Sequence, residues 1–251
     1  MGRIHLVTFD VLHTIISPRQ LIHVQYAEVF KPYVGPLEPD AIKASFKTAL
    51  KAVQKELPAY QHGAPLWWSE VIKRTALGAG ADPRKLSASL DEIVPTLLQR
   101  FSSKEGYRAF QDAIPIVKRL HEAGVQVGII SNGDTRFRQA LEDLGFPEDM
   151  SPIALSEEVA IEKPSPAIFE WAIQRHNTLY PADKLAPENC LHVGDELTCD
   201  FHGAKAAGFE ARLLRRPGAD GEQEHKEPGE DLTSVDVIHS LDDILDIVAS
   251  K

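Results

Sequence analysis

The stretch IHLVTFD, residues 4–10, places a short apolar, β-branched run directly before a carboxylate. A run this brief and this apolar predicts a strand buried on both faces of a parallel sheet, with Asp10 at its C-terminal end. A different texture follows over residues 18–105. Ile22, Tyr26, Val29 and Tyr33 recur at helical spacing, as do Ile42, Phe46, Leu50 and Val53. Trp68, Val71 and Ile72 mark a third stripe, and Leu86, Leu90, Ile93, Leu97 and Phe101 a fourth, with Pro95 as a kink. Four apolar stripes separated by Pro and Gly predict a small helical bundle.

Beyond residue 105 helix and strand alternate. Apolar runs at 125–130, 152–155, 190–193, 209–214 and 235–238 read as strands, and the segments between them end their helical patterns at Gly124, Gly145 and Gly208. This order predicts an α/β protein. Its core, residues 1–17 and 106–251, is a Rossmann-like doubly wound parallel sheet. Residues 18–105 form a helical-bundle insertion after the first strand. Such sheets bind ligands in the crevice outside the strand C-termini, which is where the polar residues cluster.

Four strand ends carry, in order, Asp10 with Thr14, Ser131 with Asn132, Lys163 before Pro164, and Gly194-Asp195 with Asp200. Taken singly, each also reads as helix capping, turn or surface chemistry. Asp195 and Asp200 suit the start of a helix near Thr198 even without a metal. Taken together the four stretches resemble the haloacid dehalogenase (HAD) superfamily: FDVLHT its first motif, IISNG its second, EKPSPAIF its third and VGDELTCD its fourth. The likeness spans nearly the whole chain, because the insertion resembles that superfamily's first-type cap.

The resemblance implies a phosphatase-type hydrolase in which Asp10 attacks phosphorus and forms an aspartyl-phosphate. It further implies Mg2+ held by Asp10, Asp195 and the Leu12 backbone carbonyl, with Asp200 acting through water. Thr14, Ser131, Asn132 and Lys163 would meet the substrate, Ser131 by hydrogen bonding the transferring group and Lys163 by neutralising its oxygens. The sequence departs from the pattern at Leu12. Phosphatases of the superfamily carry there a second Asp that protonates the leaving alcohol, help worth ~100-fold to ~10,000-fold. Three accounts stay open: a substrate with a good leaving group, His13 as a substitute proton donor, or a HAD-fold binding or scaffolding module without turnover. The dehalogenase branch has Tyr at that position, uses no metal and lacks the Gly-Asp start of the fourth motif, so VGDELTCD argues against carbon-halogen hydrolysis.

Composition sets the remaining bounds. The 251 residues are 43% hydrophobic and 25% charged, with a net charge of −10, which disfavours nucleic-acid binding. Residues 18–105 nonetheless carry 12 basic against nine acidic side chains, which suits a small anionic or phosphorylated molecule. The segment 218–231 holds six acids and one base and reads as a flexible solvated connector. No segment reads as a membrane span, a protein partner is not indicated, and two cysteines, Cys190 and Cys199, fit neither a disulfide framework nor a zinc pattern. An intracellular location, cytoplasmic with the nucleus open, is expected. His23, His62, His121 and His202 have no partners at metal-ligand spacing. Of the adjacent Trp67 and Trp68, one is expected in a core and the other at a crevice or partner.

Overall fold

A computed structural model describes residues 3–60 and 63–249; His62 lies outside them. In chain order the first elements are β1 (Leu6–Phe9), β2 (Ile16–Pro18), α1 (Ile22–Val34), α2 (Pro39–Glu56), α3 (Ala64–Gly78), α4 (Pro83–Arg100) and β3 (Tyr107–Ala109). Then come α5 (Ala113–Glu122), β4 (Gln126–Ser131), α6 (Arg136–Asp143), β5 (Ile153–Leu155), α7 (Ser156–Val159) and α8 (Pro166–Leu179). The last are β6 (Cys190–Gly194), α9 (Gly203–Ala206), β7 (Glu210–Leu214), β8 (Val237–Ile238) and α10 (Asp243–Ala249). Contacts divide the chain into two compact units: Met1–Ser17, Ala109–Gly133 and Gly145–Lys251 form one, Pro18–Arg108 and Asp134–Leu144 the other.

In the first unit six strands form one parallel sheet, ordered β5-β4-β1-β6-β7-β8. Counted among themselves these strands run 3-2-1-4-5-6, the Rossmann order, with its switch point between β1 and β6. Every residue of β1 and β6 is buried, as the continuous apolar runs predict for strands covered on both faces. The core behind the switch point packs Ile168, Phe169 and Ala172 of α8 against Leu6, Cys190, Ala211 and Leu213 of the sheet. Cys190 and Cys199 are free. No helix among the described residues is long and apolar enough to cross a membrane.

The second unit is built on the four predicted helices. Tyr26 of α1 is the hub of one cluster, edge-on to Phe30 at 5.7 Å and Phe46 at 5.3 Å. Trp67 of α3 packs with Ala49, Val53 and Val71, and its indole N–H donates to the Leu57 carbonyl at 2.9 Å. Asp82 caps α4 by accepting from the N–H groups of Arg84 and Lys85, and Pro83 takes the first helical position. Pro95 sits inside α4, which continues through it to Arg100.

The division differs from the sequence boundary at residues 106–108 and 134–144, which the sequence assigns to the sheet core. Trp68 explains the second segment: its indole N–H donates to Asp134 Oδ2 at 2.7 Å, and the Arg136 guanidinium lies 4.4 Å from the ring centre. Tyr107 joins them by packing edge-on against Phe101 and at a tilt against Phe137. Those contacts tie the start of α6 to α3, so Trp68 is occupied within its own unit.

Candidate functional site

Asp10 is fixed by the sheet, because its N–H continues the β1–β6 ladder to the Val193 carbonyl at 2.9 Å. The chain then folds sharply, with the His13 N–H donating to Ile16 O and the Ile15 N–H to Val11 O. His13 takes a left-handed conformation, φ 62°, to complete this turn. On the neighbouring strand β6 ends at Gly194, where a Cβ would overlap the Asp200 carboxylate. Only glycine fits that approach. A π-helical turn over Leu197–His202 brings Asp200 back: the N–H groups of Asp200 and Phe201 both donate to the Glu196 carbonyl. The Glu196 N–H in turn donates to Asp200 Oδ2 at 2.8 Å.

These turns converge Asp10, Asp195 and Asp200 so that one ligand atom from each lies within 4.8 Å of the others. Lys163 stands among them. Its ammonium, only 2% exposed, donates to Asp10 Oδ1 at 2.7 Å, Asp200 Oδ1 at 2.5 Å and the Ile130 carbonyl at 3.0 Å. Asn132 holds the lysine from behind: its Oδ1 accepts the Lys163 N–H at 2.7 Å and its amide donates to the Lys163 carbonyl at 2.9 Å.

Three buried carboxylates stand in one cluster with a single ammonium, which pairs with Asp10 and Asp200, so the fully ionised set keeps two negative charges in excess. Burial, helped by neighbouring Asp200, pushes Asp10 up to about 6 even against the pull of Lys163. Burial and the charges of Asp10 and Asp200 raise Asp195 well above the carboxylate range. Asp200 moves the other way: although burial opposes it, Lys163 and His192 hold its carboxyl below the usual range. Burial is overcome at Lys163 too, where Asp10 and Asp200 raise the ammonium above its ordinary range. Burial, reinforced by His225, pushes His13 down to about 4, so its ring is neutral at pH 7.

A divalent cation fits this set. The donors are all oxygen, as a hard ion requires, and the surplus of two negative charges matches its charge. The hydrogen bonds also separate the roles of the carboxylates. Asp200 spends Oδ1 on Lys163 and His192 and Oδ2 on the Glu196 N–H, which leaves it to act through water. Lys163 takes only one oxygen of Asp10, which leaves the other open to an ion, while Asp195 accepts from the Thr14 hydroxyl and the His225 N–H.

The sequence-predicted residues therefore meet, with different partners than expected for two. Asp10, Lys163, Asp195 and Asp200 form one cluster, and Ser131 ends β4, buried beside Asn132. Thr14 is fully buried and donates to Asp195 Oδ1 at 3.4 Å, facing a candidate metal ligand rather than an open cavity. Asn132 spends its amide on the Lys163 backbone, so its place is to position the lysine.

The acidic segment is not the free connector its composition suggests. The His225 N–H donates to Asp195 Oδ2 at 2.8 Å, and Glu227 accepts the Thr198 N–H at 3.1 Å. Arg215, at the end of β7, donates to the Asp195 carbonyl and grips Glu230 with two bonds of 3.0 and 2.7 Å. Arg216 pairs with Asp112 and donates to the Thr14 carbonyl at 3.0 Å. Glu230 thus meets the Arg215 guanidinium and Glu224 accepts the Arg216 backbone N–H, and those bonds order the acidic, Gly- and Pro-containing run. Arg215 and Arg216 carried a readable signal, since they follow a parallel strand at its C-terminal end.

Comparison with known proteins agrees with this geometry. The family described as haloacid dehalogenase-like hydrolase matches residues 4–208. Haloacid dehalogenase-like hydrolase domain-containing protein 3 of Danio rerio is 28% identical over 243 residues, 95% of this chain and 93% of that protein. Among solved structures, 2-haloacid dehalogenase from Pseudomonas syringae pv. Tomato superposes with a TM-score of 0.68 at 23% identity, covering 98% of this chain and 99% of that one. A HAD phosphatase from Thermococcus onnurineus superposes with a TM-score of 0.61 at 22% identity, covering 99% of both chains. With the fold, the four strand ends and the family match in agreement, the chain belongs to the haloacid dehalogenase-like hydrolases.

Proposed function

We propose that this HAD-like hydrolase is a magnesium-dependent phosphatase that passes a phosphoryl group through Asp10. The observation that carries the reading is the buried trio Asp10, Asp195 and Asp200, with the Lys163 ammonium paired to Asp10 and Asp200, an arrangement that suits a divalent cation. Magnesium held by Asp10, Asp195 and the Leu12 carbonyl would offset the repulsion between an attacking carboxylate and a phosphate dianion. The Asp10 carboxylate attacks phosphorus as the bond to the leaving oxygen breaks, and water later hydrolyses the aspartyl-phosphate. Lys163 neutralises charge on the transferring oxygens while Asn132 keeps its backbone in place. Ser131 donates to those oxygens through its hydroxyl and the adjacent N–H. The helical unit corresponds to the family's cap, and the basic excess of residues 18–105 suits an anionic substrate.

Leu12 narrows the substrate. It has no proton to give, and neutral His13 with a pKa of about 4 has none at pH 7. The leaving group must therefore depart unprotonated, which favours acyl phosphates and anhydrides over alkyl phosphates. Leu12 also favours a second reading, a HAD fold that binds a phosphorylated ligand without turnover. Hydrolysis of acetyl phosphate and p-nitrophenyl phosphate, with magnesium and with EDTA, separates the two. Magnesium-dependent phosphate release, fastest from acetyl phosphate, is the expected result. No release above the EDTA blank from either substrate favours the binding reading, and metal-independent halide release from 2-chloropropionate would replace both with dehalogenation.

A further inference from the structure

His192 and Thr8 are fully buried beneath the site, and neither has a part in the chemistry described above. The β1–β6 register sets them side by side. Strand alternation places Thr8 on the face that carries Asp10 and His192 on the face that carries Gly194, one repeat back from the strand ends. Thr8 Oγ1 lies 2.9 Å from His192 Nδ1, and His192 Nε2 lies 3.2 Å from Asp200 Oδ1. That same oxygen accepts the Lys163 ammonium, which reaches Asp10. A continuous chain of hydrogen bonds thus runs from Thr8 through His192, Asp200 and Lys163 to the nucleophile.

An imidazole at this place is costly. β6 is covered on both faces, and the His192 ring meets Phe169 edge-on at 5.2 Å. An aliphatic side chain would satisfy such packing without losing hydration. The direction of the bonds follows from the partners. An ionised carboxylate only accepts, so Nε2 must carry a hydrogen, and in a neutral ring Nδ1 then accepts from the Thr8 hydroxyl. That hydroxyl has the Leu191 carbonyl as a second acceptor at 3.4 Å, the longer of its two contacts.

We propose that Thr8 and His192 are positioning residues: Thr8 holds the His192 ring by donating to Nδ1 of the Nε2–H tautomer that Asp200 sets, and His192 holds Asp200 so that Lys163 aims its ammonium at Asp10. The kinetic consequence rests on the phosphatase reading, whereas the hydrogen-bond direction does not. Without the imidazole donor, Asp200 Oδ1 is held by Lys163 alone, and the lysine is free to follow Asp200 away from Asp10. The loss falls on turnover, because His192 touches no substrate.

Two measurements on the full chain test this. Nitrogen-15 NMR of the metal-free protein, with His192 assigned by its absence from His192→Gln, should show the Nε2–H tautomer. Thr8→Val, which removes the hydroxyl donor to Nδ1, should lower kcat severalfold in the phosphatase assay, and Thr8→Ser should keep it near the parent's. In the phosphatase assay His192→Leu should lower kcat about tenfold or more with KM within about twofold, and His192→Gln, whose amide again offers a donor, should recover most of the loss. An Nδ1–H tautomer in the parent, or parental kcat in either Thr8→Val or His192→Leu, overturns the proposal. So does a folded His192→Gln no better than His192→Leu. If His192→Leu does not fold, the Thr8 pair decides the matter alone. Absence of turnover in the parent would instead refute the phosphatase reading, and the tautomer would still be read.

Discussion

Asp10→Asn is expected to bring phosphate release down to the uncatalysed background, a fall of about 10,000-fold or more, as for removal of a covalent nucleophile in other hydrolases. The amide keeps the shape of the side chain and an oxygen for Lys163, so what disappears is the attacking carboxylate. Stability should not fall with activity. Asp10 has its pKa pushed up to about 6, so holding its charge at pH 7 costs the metal-free protein free energy that a neutral amide does not. Activity lost with an unchanged or raised Tm identifies a chemical role, whereas parallel loss of both would identify a structural one. Acid-quenched parent protein should in addition carry a phosphoryl group on Asp10 by mass spectrometry, and the variant should not.

Leu12→Asp is expected to act in the opposite direction. General acid-base help is worth ~100-fold to ~10,000-fold, and 100-fold corresponds to about 2.7 kcal/mol of barrier. The gain should depend on the leaving group. An alkyl phosphate, which needs a proton on the departing oxygen, should be hydrolysed about 100-fold faster by the variant, while acetyl phosphate should change little. Leu12 lies half-buried in the turn directly after Asp10, so the new carboxylate starts next to the nucleophile. Equal gains on both substrates would mean that the introduced carboxylate acts on the metal or the fold, and no gain would mean that proton transfer is not what the site lacks.

The two kinds of residue in this site are unequally legible. Asp10 and Asp195 stand at the ends of apolar runs, where a buried parallel strand must stop, so their place can be read from local sequence alone, whereas Lys163 lies beyond α7 and Asp200 within the π-helical turn. His192 hides inside such a run. CLHV reads as a strand whatever its third residue does, and the partner that explains the histidine is 184 positions away. Only the β1–β6 register connects them. The acidic segment misleads for a related reason: charge and glycine content describe a free chain correctly, but the Arg215 side chain grips Glu230 and the Arg216 backbone N–H donates to Glu224, contacts that a composition count omits. The segment that begins at Asp134 lies in the helical unit through Trp68, a pairing between residues 66 apart with no local signature. Thr14 stands close to the strand end in sequence, yet its direction, toward Asp195, follows from the turn centred on His13.

All of this depends on Asp10 and Asp195 holding one divalent ion, and thermal unfolding with and without magnesium measures it. At ten times its dissociation constant the ion adds about 1.4 kcal/mol, or about 3 to 6 °C for a chain of this length. The sign of the pH dependence is fixed by the raised carboxyls. A folded-state pKa of about 6 at Asp10, above the ordinary value of 3.8, gives metal-free stability that is present below the lower value and lost as pH rises through the upper one. The same proton competes with the ion. The expected result is a magnesium-induced rise in Tm at pH 7.5 that shrinks at pH 5 and vanishes in Asp195→Asn. No rise at pH 7.5 in millimolar magnesium, or an equal rise in Asp195→Asn, would contradict it.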